Sequence, residues 1–86
     1  MDEKWSVYIL RCCDGSLYTG IAKDVPARLE MHRRGKGAKY TRGRGPLVLV
    51  YTEVCESKSI ALKRELSIKA LPREEKMKLI TRSAVR

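Results

Sequence analysis

Five polar side chains in this sequence stand where they could act on a charged substrate. Tyr8 and Tyr18 lie in two neighbouring apolar runs, Arg28 and His32 are about one helical turn apart, and Glu65 interrupts an apolar helical stripe. An imidazole titrates near neutral pH and suits proton transfer, whereas a phenol does so only when its surroundings lower its pKa. Guanidinium groups neutralise anions, and carboxylates bind hard divalent cations. These are the residue types that acid–base and metal-assisted chemistry uses.

Whether the two tyrosines can act together depends on the register of a predicted β-hairpin. Two apolar runs rich in β-branched and aromatic residues flank the turn-forming Asp14-Gly15. A two-residue turn would place Tyr8 and Tyr18 on opposite faces. A three-residue loop with its glycine in the left-handed conformation would pair Tyr8 with Gly20 and put both phenols on one face. Turn preferences leave both registers open.

Arg28 and His32 belong to a predicted helix that starts at an aspartate cap. Asp24 precedes Val25-Pro26, a proline suited to the first turn, and Gly35 is expected to end the helix. Residues at i, i+3, i+4 and i+7 share one face, which here carries Val25, Arg28, Leu29 and His32. Both polar residues are therefore expected to point toward the sheet. Against this, an arginine by itself is more often a surface charge, and a lone histidine is more often structural.

Glu65 is a carboxylate whose position demands a partner. It lies four residues after Ala61 and three before Ile68, on the inward face of a second predicted helix. An unpaired buried charge is costly, so this carboxylate needs a cation or hydrogen bonds. Spacing alone leaves two interpretations open, a metal ligand or a helical ion pair with Lys69.

The remaining elements complete a predicted α/β fold. Residues 47–51 form a continuous apolar run, predicted to be a third strand packed between layers. Ser57 or Ser59 is expected to cap the second helix, which runs to about Leu71 before Pro72 starts a third. The inward residues of the second helix are expected to be Ala61, Leu62, Ile68 and Leu71. The order β-β-α-β-α-α predicts a single domain over residues 1–86, a small sandwich with a three-stranded antiparallel sheet flanked by helices.

The charge of the chain favours a polyanionic partner. Nineteen Lys and Arg against ten Asp and Glu give a net charge of +9. From residue 28 to residue 46, seven basic residues accompany one acid in a glycine-rich setting, a local net charge of +6. The residues expected to hold nucleic acid are Lys36, Lys39, Tyr40, Arg42 and Arg44. The alternative is a mobile loop that contributes charge only.

Composition also argues against other classes of protein. Cys12, Cys13 and Cys55 form no C-x-x-C pair and no complete disulfide framework, so they are interpreted as reduced thiols. A zinc site is not expected, because His32 is the single histidine. The sequence has no long apolar run, and residues 1–4 do not begin like a signal peptide. The chain is therefore expected to be soluble, cytoplasmic and monomeric.

Several stretches together resemble the GIY-YIG nuclease superfamily. Val7-Tyr8-Ile9 and Tyr18-Thr19-Gly20 are similar to its paired motif, with valine for the first glycine and threonine for the middle isoleucine. The similarity continues through residues 24–32, 35–42 and 61–69 and covers nearly the whole chain. Most specifically, the sequence is similar to the small single-domain bacterial UPF0213, or YhbQ-like, branch. The resemblance implies the same fold, with the first strand central.

The resemblance also implies a function, metal-dependent hydrolysis of phosphodiester bonds in DNA. In that family the helix glutamate matching Glu65 binds the divalent cation, here expected to be Mg²⁺ or Mn²⁺. The arginine matching Arg28 contacts the scissile phosphate. Either Tyr8 or His32 would activate water, and Tyr18 would complete the network.

Two other functions share the same charge. One is a noncatalytic nucleic-acid-binding module that keeps the nuclease fold, and the other is an RNA-binding accessory that needs no metal. The departure at Val7 leaves them open, because the first motif lacks its glycine. If the chain is a nuclease, structure-specific cleavage in DNA repair or recombination is the expected role.

Overall fold

Three strands and three helices follow one another in the predicted β-β-α-β-α-α order. The computed structural model describes residues 3–84. The strands are β1 (Trp5–Arg11), β2 (Leu17–Ala22) and β3 (Val48–Cys55), and the helices are α1 (Val25–Arg33), α2 (Lys58–Lys69) and α3 (Arg73–Ala84). The strands form one antiparallel sheet in the order β2-β1-β3, so β1 is central, as expected.

The turn between β1 and β2 is the three-residue loop. The Cys12 N–H donates to the Ser16 carbonyl at 2.9 Å, and the Gly15 N–H donates to the Cys12 carbonyl at 2.9 Å. Gly15 has a φ of 84°, the left-handed conformation that glycine adopts at little cost. The Asp14 carboxylate accepts hydrogen bonds from the Ser16 N–H and hydroxyl, at 3.0 and 2.6 Å. These bonds explain why the loop, and not the two-residue turn, forms.

This loop fixes the register between β1 and β2. Tyr8 pairs with Gly20, and Tyr18 pairs with Leu10. Directly opposite residues project from the same face of a sheet, so both phenols lie on one face. The predicted three-residue register is confirmed.

Each face of the sheet carries its own apolar cluster. One contains Tyr8, Leu10, Cys12, Ala22, Val25 and Leu47, with Tyr18 and Leu29 packed against it. The other contains Val7, Ile9, Cys55, Ala61 and Ile68, with Leu79 and Ile80 of α3 against it. The first face, covered by α1, is the one that holds Tyr8 and Tyr18.

Two expectations about packing are wrong. The third strand was expected at residues 47–51, packed between layers, but β3 spans Val48–Cys55 and lies at the edge of the sheet. This position leaves Val48 43% and Leu49 37% exposed. Leu62 is 42% exposed, because Ala61 and Ile68 form the contact row of α2 and Leu62 lies about 100° around the helix from Ala61. A continuous apolar run does not by itself distinguish a central strand from an edge strand.

The ends of α1 are those predicted. The Asp24 carboxylate accepts a hydrogen bond from the Ala27 N–H at 3.1 Å. At the other end Gly35, with a φ of 74°, reverses the chain, and the Lys36 N–H donates to the Met31 carbonyl at 2.9 Å. This end sends the following segment back over the sheet. Ser57 caps α2, accepting from the Ile60 N–H.

Within residues 3–84, no helix has the length and apolar character needed to cross a bilayer.

Candidate active site

Tyr8 is the centre of the candidate site. Its side chain lies on the α1-facing side of β1 and is 2% exposed. The Tyr18 ring lies beside it, with ring centroids 6.3 Å apart. Across the strand pair, a Cβ atom at Gly20 would lie 2.6 Å from the Tyr8 hydroxyl oxygen. Only glycine at that position leaves room for the phenol.

His32 reaches this pair of phenols from α1. Its side chain is 3% exposed, so the prediction that it points toward the sheet is confirmed. The Nε2 atom lies 2.8 Å from the Tyr8 hydroxyl oxygen, a hydrogen-bonding distance. The imidazole also meets the Tyr18 ring edge-on, at 5.3 Å between centroids. Tyr8, Tyr18 and His32 therefore form one contiguous cluster.

The segment after α1 closes around the other side of the imidazole. Thr41, in a short 3₁₀ turn, is 2% exposed, and its Oγ1 lies 2.9 Å from His32 Nδ1. The same hydroxyl lies 3.0 Å from the Ala38 carbonyl, to which it donates. A Cβ atom at Gly37 would lie 2.7 Å from His32 Cε1 and would overlap the ring. Both ring nitrogens of His32 thus have a protein partner.

Gly37 and Thr41 are site residues that the sequence analysis did not single out. Both belong to the stretch that resembles the nuclease superfamily, yet neither carries a charge or a chemistry that draws notice. The available signal was a hydroxyl side chain and a small residue within a segment otherwise dominated by cations. Only the fold shows that this segment packs onto His32.

Burial keeps the Tyr8 and His32 pair neutral near pH 7. The pKa of Tyr8 is raised, mainly by burial and then by the neighbouring Tyr18 and the Glu65 carboxylate, while Arg28 acts to lower it. The pKa of His32 is lowered, first by burial and then by the charge of Arg28. A neutral imidazole with a free lone pair is a proton acceptor, and a neutral phenol is a proton donor.

Arg28 borders the cluster from the solvent side. The expectation that it points toward the sheet is wrong, because the residue is exposed. Val25, Leu29 and His32 form the contact row of α1, and Arg28 lies about 65° from the middle of that row. Its charge still lowers the pKa of both Tyr8 and His32. The guanidinium therefore stands where an anion approaching these groups would meet it.

Glu65 extends from α2 with 15% of its side chain exposed. It pairs with Lys69 Nζ at 3.3 Å, so the helical ion pair is present. The carboxylate also acts on Tyr8, whose pKa it raises. The two interpretations of Glu65 are thus compatible, because an ion pair with a half-exposed lysine is weak enough to yield to a divalent cation.

The candidate metal ligand of the site is one carboxylate, that of Glu65, and this limits the kinds of metal ion that the site could bind. Among residues 3–84, no three His, Cys, Asp or Glu side chains are grouped as metal ligands. Mg²⁺ is commonly bound through one or two carboxylates and completes its shell with water and substrate phosphate. The hard oxygen donor of Glu65 therefore fits Mg²⁺ or Mn²⁺ held jointly with a phosphate.

Two of the predicted nucleic-acid-binding residues fasten the basic segment, residues 36–44 between α1 and β3, to the hairpin. Tyr40 stacks on Tyr18, with ring centroids 5.9 Å apart, and the Arg44 guanidinium lies 4.5 Å from the Tyr40 centroid. Arg44 also pairs with Asp14 at 2.6 Å, and its carbonyl accepts from the Cys13 N–H at 2.8 Å. The segment is therefore anchored beside the cluster. The other three residues, Lys36, Lys39 and Arg42, are exposed.

Sequence comparison connects this geometry to a known catalytic domain. A family model described as the GIY-YIG catalytic domain matches residues 4–78. UPF0213 proteins of Staphylococcus aureus strain Mu3 and strain Mu50 (SAV0488) are each 62% identical over 74 residues. The matched region is 86% of this chain and 90% of each relative.

Solved structures show the same fold. The solution NMR structure of the UPF0213 protein BH0048 from Bacillus halodurans is 50% identical with a TM-score of 0.59, covering 91% of this chain and 83% of that one. The solution NMR structure of EF2693 from E. faecalis is 34% identical with a TM-score of 0.65, covering 100% and 94%.

Proposed function

Because this chain belongs to the GIY-YIG family, and within it to the UPF0213 proteins, we propose that it is a metal-dependent endonuclease that hydrolyses phosphodiester bonds in DNA. The observation that carries the proposal is the Tyr8–Tyr18–His32 cluster with the charges of Arg28 and Glu65 acting on it. In this proposal the cluster transfers protons, Arg28 attracts the anionic substrate, and the Glu65 carboxylate binds the metal ion. Metal-dependent phosphodiester hydrolysis uses all three.

Proton transfer is assigned to the hydrogen-bonded pair. A water molecule that attacks phosphorus must lose a proton, and Tyr8 and His32 can take it as a unit because their polar atoms are 2.8 Å apart. Tyr18 packs against both rings and limits their movement. Gly20 and Gly37 supply the space in which the two rings meet.

Charge stabilisation is assigned to the two residues at the border of the cluster. Arg28 would neutralise the non-bridging phosphoryl oxygens, since a guanidinium donates two parallel hydrogen bonds to such groups. Glu65 would hold Mg²⁺ or Mn²⁺. When bound, the cation supplies Lewis-acid stabilisation of charge on the phosphate and the leaving oxygen.

Nucleic-acid binding is assigned to the basic segment beside the cluster. Lys36, Lys39 and Arg42 are exposed and free to contact phosphates, while Tyr40, 41% exposed, offers an aromatic surface to a sugar or base. Arg44 holds the segment in place through Asp14. In this proposal the segment both binds DNA and frames the site.

A cleavage assay on a panel of DNA forms tests the proposal. Supercoiled, flapped and branched DNA, with a structured RNA beside them, are incubated with the protein in Mg²⁺, in Mn²⁺ and in EDTA. Nicking that requires the metal is expected, and a preference among the forms would define a structure-specific activity. No cleavage of any DNA or RNA in either metal would leave the noncatalytic binding module as the better account. The ion pair between Glu65 and Lys69 is the observation that favours that alternative.

A further inference from the structure

Three hydrogen bonds form a continuous chain through the site. The Tyr8 hydroxyl oxygen lies 2.8 Å from His32 Nε2, His32 Nδ1 lies 2.9 Å from Thr41 Oγ1, and Thr41 Oγ1 lies 3.0 Å from the Ala38 carbonyl oxygen. All three side chains are at most 3% exposed. Each hydroxyl has one hydrogen, and a neutral imidazole has one N–H. The hydrogen-bonded chain therefore has three polar hydrogens, and these can be placed in only a few ways.

Only one placement puts a hydrogen into each of the three contacts. If Nδ1 carries the proton, it donates to Thr41, Thr41 donates to the Ala38 carbonyl, and Tyr8 donates to the free Nε2 lone pair. If Nε2 carries the proton, it donates to Tyr8 and Thr41 donates to Nδ1. The contact between Thr41 and the Ala38 carbonyl is then left without a hydrogen, because Thr41 has only one to donate. A buried carbonyl that loses its hydrogen-bond donor destabilises the second placement.

We propose that Thr41 is a positioning residue that holds His32 in the tautomer protonated on Nδ1, so that Nε2 accepts the proton of Tyr8. The carbonyl of Ala38 is the anchor, because it draws the Thr41 hydrogen away from the imidazole. Gly37 allows the segment to approach this closely, since any side chain there would overlap the ring. The tautomer follows from the hydrogen bonds alone, and its effect on cleavage rests on the proposed function.

The tautomer gives the proton path a direction. As the water oxygen forms its bond to phosphorus, a water proton passes to the Tyr8 oxygen and the Tyr8 proton passes to His32 Nε2. The phosphorus bond to the leaving oxygen breaks with its electron pair on that oxygen, which takes a proton from solvent. The imidazolium is stabilised by Thr41, which still accepts from Nδ1–H, and later releases its proton to solvent. Tyr8 is thus a relay, and its raised pKa is compatible with that role.

Nitrogen NMR of the single histidine tests the tautomer directly. The ¹⁵N shifts of His32 need no assignment, because the chain contains one histidine. At about pH 8, above the ordinary imidazole pKa, the wild type is expected to show a protonated Nδ1 and an unprotonated Nε2. A wild-type spectrum with the proton on Nε2 would overturn the proposal, whatever any variant does.

Two substitutions at Thr41 connect the tautomer to the reaction. Thr41→Val keeps the shape but removes the hydroxyl, so the proton should move to Nε2 and cleavage should fall about 100-fold. Thr41→Ser keeps the hydroxyl and should retain the wild-type spectrum and most of the activity. Thr41→Val with wild-type cleavage and a protonated Nδ1 would contradict the proposal. If the wild type cuts no substrate, the proposed function fails while the NMR result still decides the tautomer.

Discussion

The hydrogen bond between Tyr8 and His32 lies in surroundings that favour neutral groups. Burial raises the pKa of the phenol and lowers that of the imidazole, and Arg28 adds to the second effect. Near pH 7 the phenol therefore keeps its proton and the imidazole keeps its lone pair. In the proposed mechanism, His32 is therefore the proton acceptor and Tyr8 is the group that contacts water. Burial and hydrogen bonding are the observations that support this assignment of the two roles.

The lowered pKa of His32 predicts a pH dependence of stability. Below the ordinary imidazole pKa of 6.5, the unfolded chain takes up a proton that the folded protein resists. The free energy of unfolding should therefore decrease as pH falls below about 6.5 toward the lowered pKa of the folded state, by at most about 1.4 kcal/mol per pH unit from this group. The effect should level off below the folded-state pKa.

Denaturant unfolding at a series of pH values checks this expectation. His32→Asn removes the titrating group and should show a shallower pH dependence over the same range, even if it is less stable throughout. Parallel curves for the two proteins would mean that His32 is not the group responsible.

Gly20 predicts a sharp steric effect on Tyr8. Gly20→Ala would place a carbon 2.6 Å from the Tyr8 hydroxyl oxygen and force the phenol to move. We expect a loss of stability of about 1–3 kcal/mol and a loss of cleavage of about 100-fold, because small misplacements of catalytic groups are costly. Gly45→Ala is the matched control, since nothing lies within 4 Å of its added carbon. A Gly20→Ala protein that cuts like the wild type would place Tyr8 outside the reaction.

At the scale of elements, local chemistry predicts the positions of helices better than the contacts of the segment between them. A single residue type is enough to predict a helix cap or a helix end. Asp24 and Ser57 cap their helices and Gly35 ends α1, each where expected. Turn preferences alone do not decide the hairpin register. The register depends on the hydrogen bonds between Asp14 and Ser16, which those preferences do not include.

Long-range packing accounts for what the sequence could not predict. Thr41 is buried because its segment folds back onto His32, nine residues earlier, and no periodic pattern records that contact. Arg28 is exposed because its angle on α1 falls outside the contact row, although its spacing from His32 suggested otherwise. The edge position of β3 depends on strand order, which an apolar run does not specify.

The basic segment predicts a salt-dependent affinity for DNA. If Lys39 and Arg42 contact backbone phosphates, each change to Ala should flatten the slope of log affinity against log salt concentration by about one unit. Fluorescence anisotropy in EDTA, with one labelled DNA across a salt series, measures the slope without cleavage. Lys78→Ala is the control, because Lys78 lies on α3, which packs against the other face of the sheet. Unchanged slopes for the first two variants would argue against this surface.

At the scale of the whole molecule, the net charge of +9 on 86 residues and the position of the candidate site both suit a polyanionic substrate. A chain this small has a modest core, so the candidate site extends from the buried Tyr8 and His32 to the exposed Arg28 at the border of that core. The excess charge draws a polyanion to the molecule, and the local net charge of +6 concentrates that attraction beside Tyr8 and His32. The family relationship and the electrostatics thus favour the same substrate class.

Glu65 offers the most direct measurement of whether this molecule is an enzyme. Glu65→Gln keeps the volume of the side chain and removes the charge that would hold Mg²⁺. Glu75→Gln is the matched control, since Glu75 is half-exposed on α3. The measurement is the rate of Mg²⁺-dependent nicking by the three proteins, purified identically, with DNA binding recorded in EDTA.

Glu65→Gln is expected to lose nicking by about 100-fold or more, while Glu75→Gln is expected to match the wild type. Binding by Glu65→Gln should stay near that of the wild type or tighten, because a negative charge leaves the site. Equal nicking by wild type and Glu65→Gln would contradict the account and remove Glu65 from the mechanism.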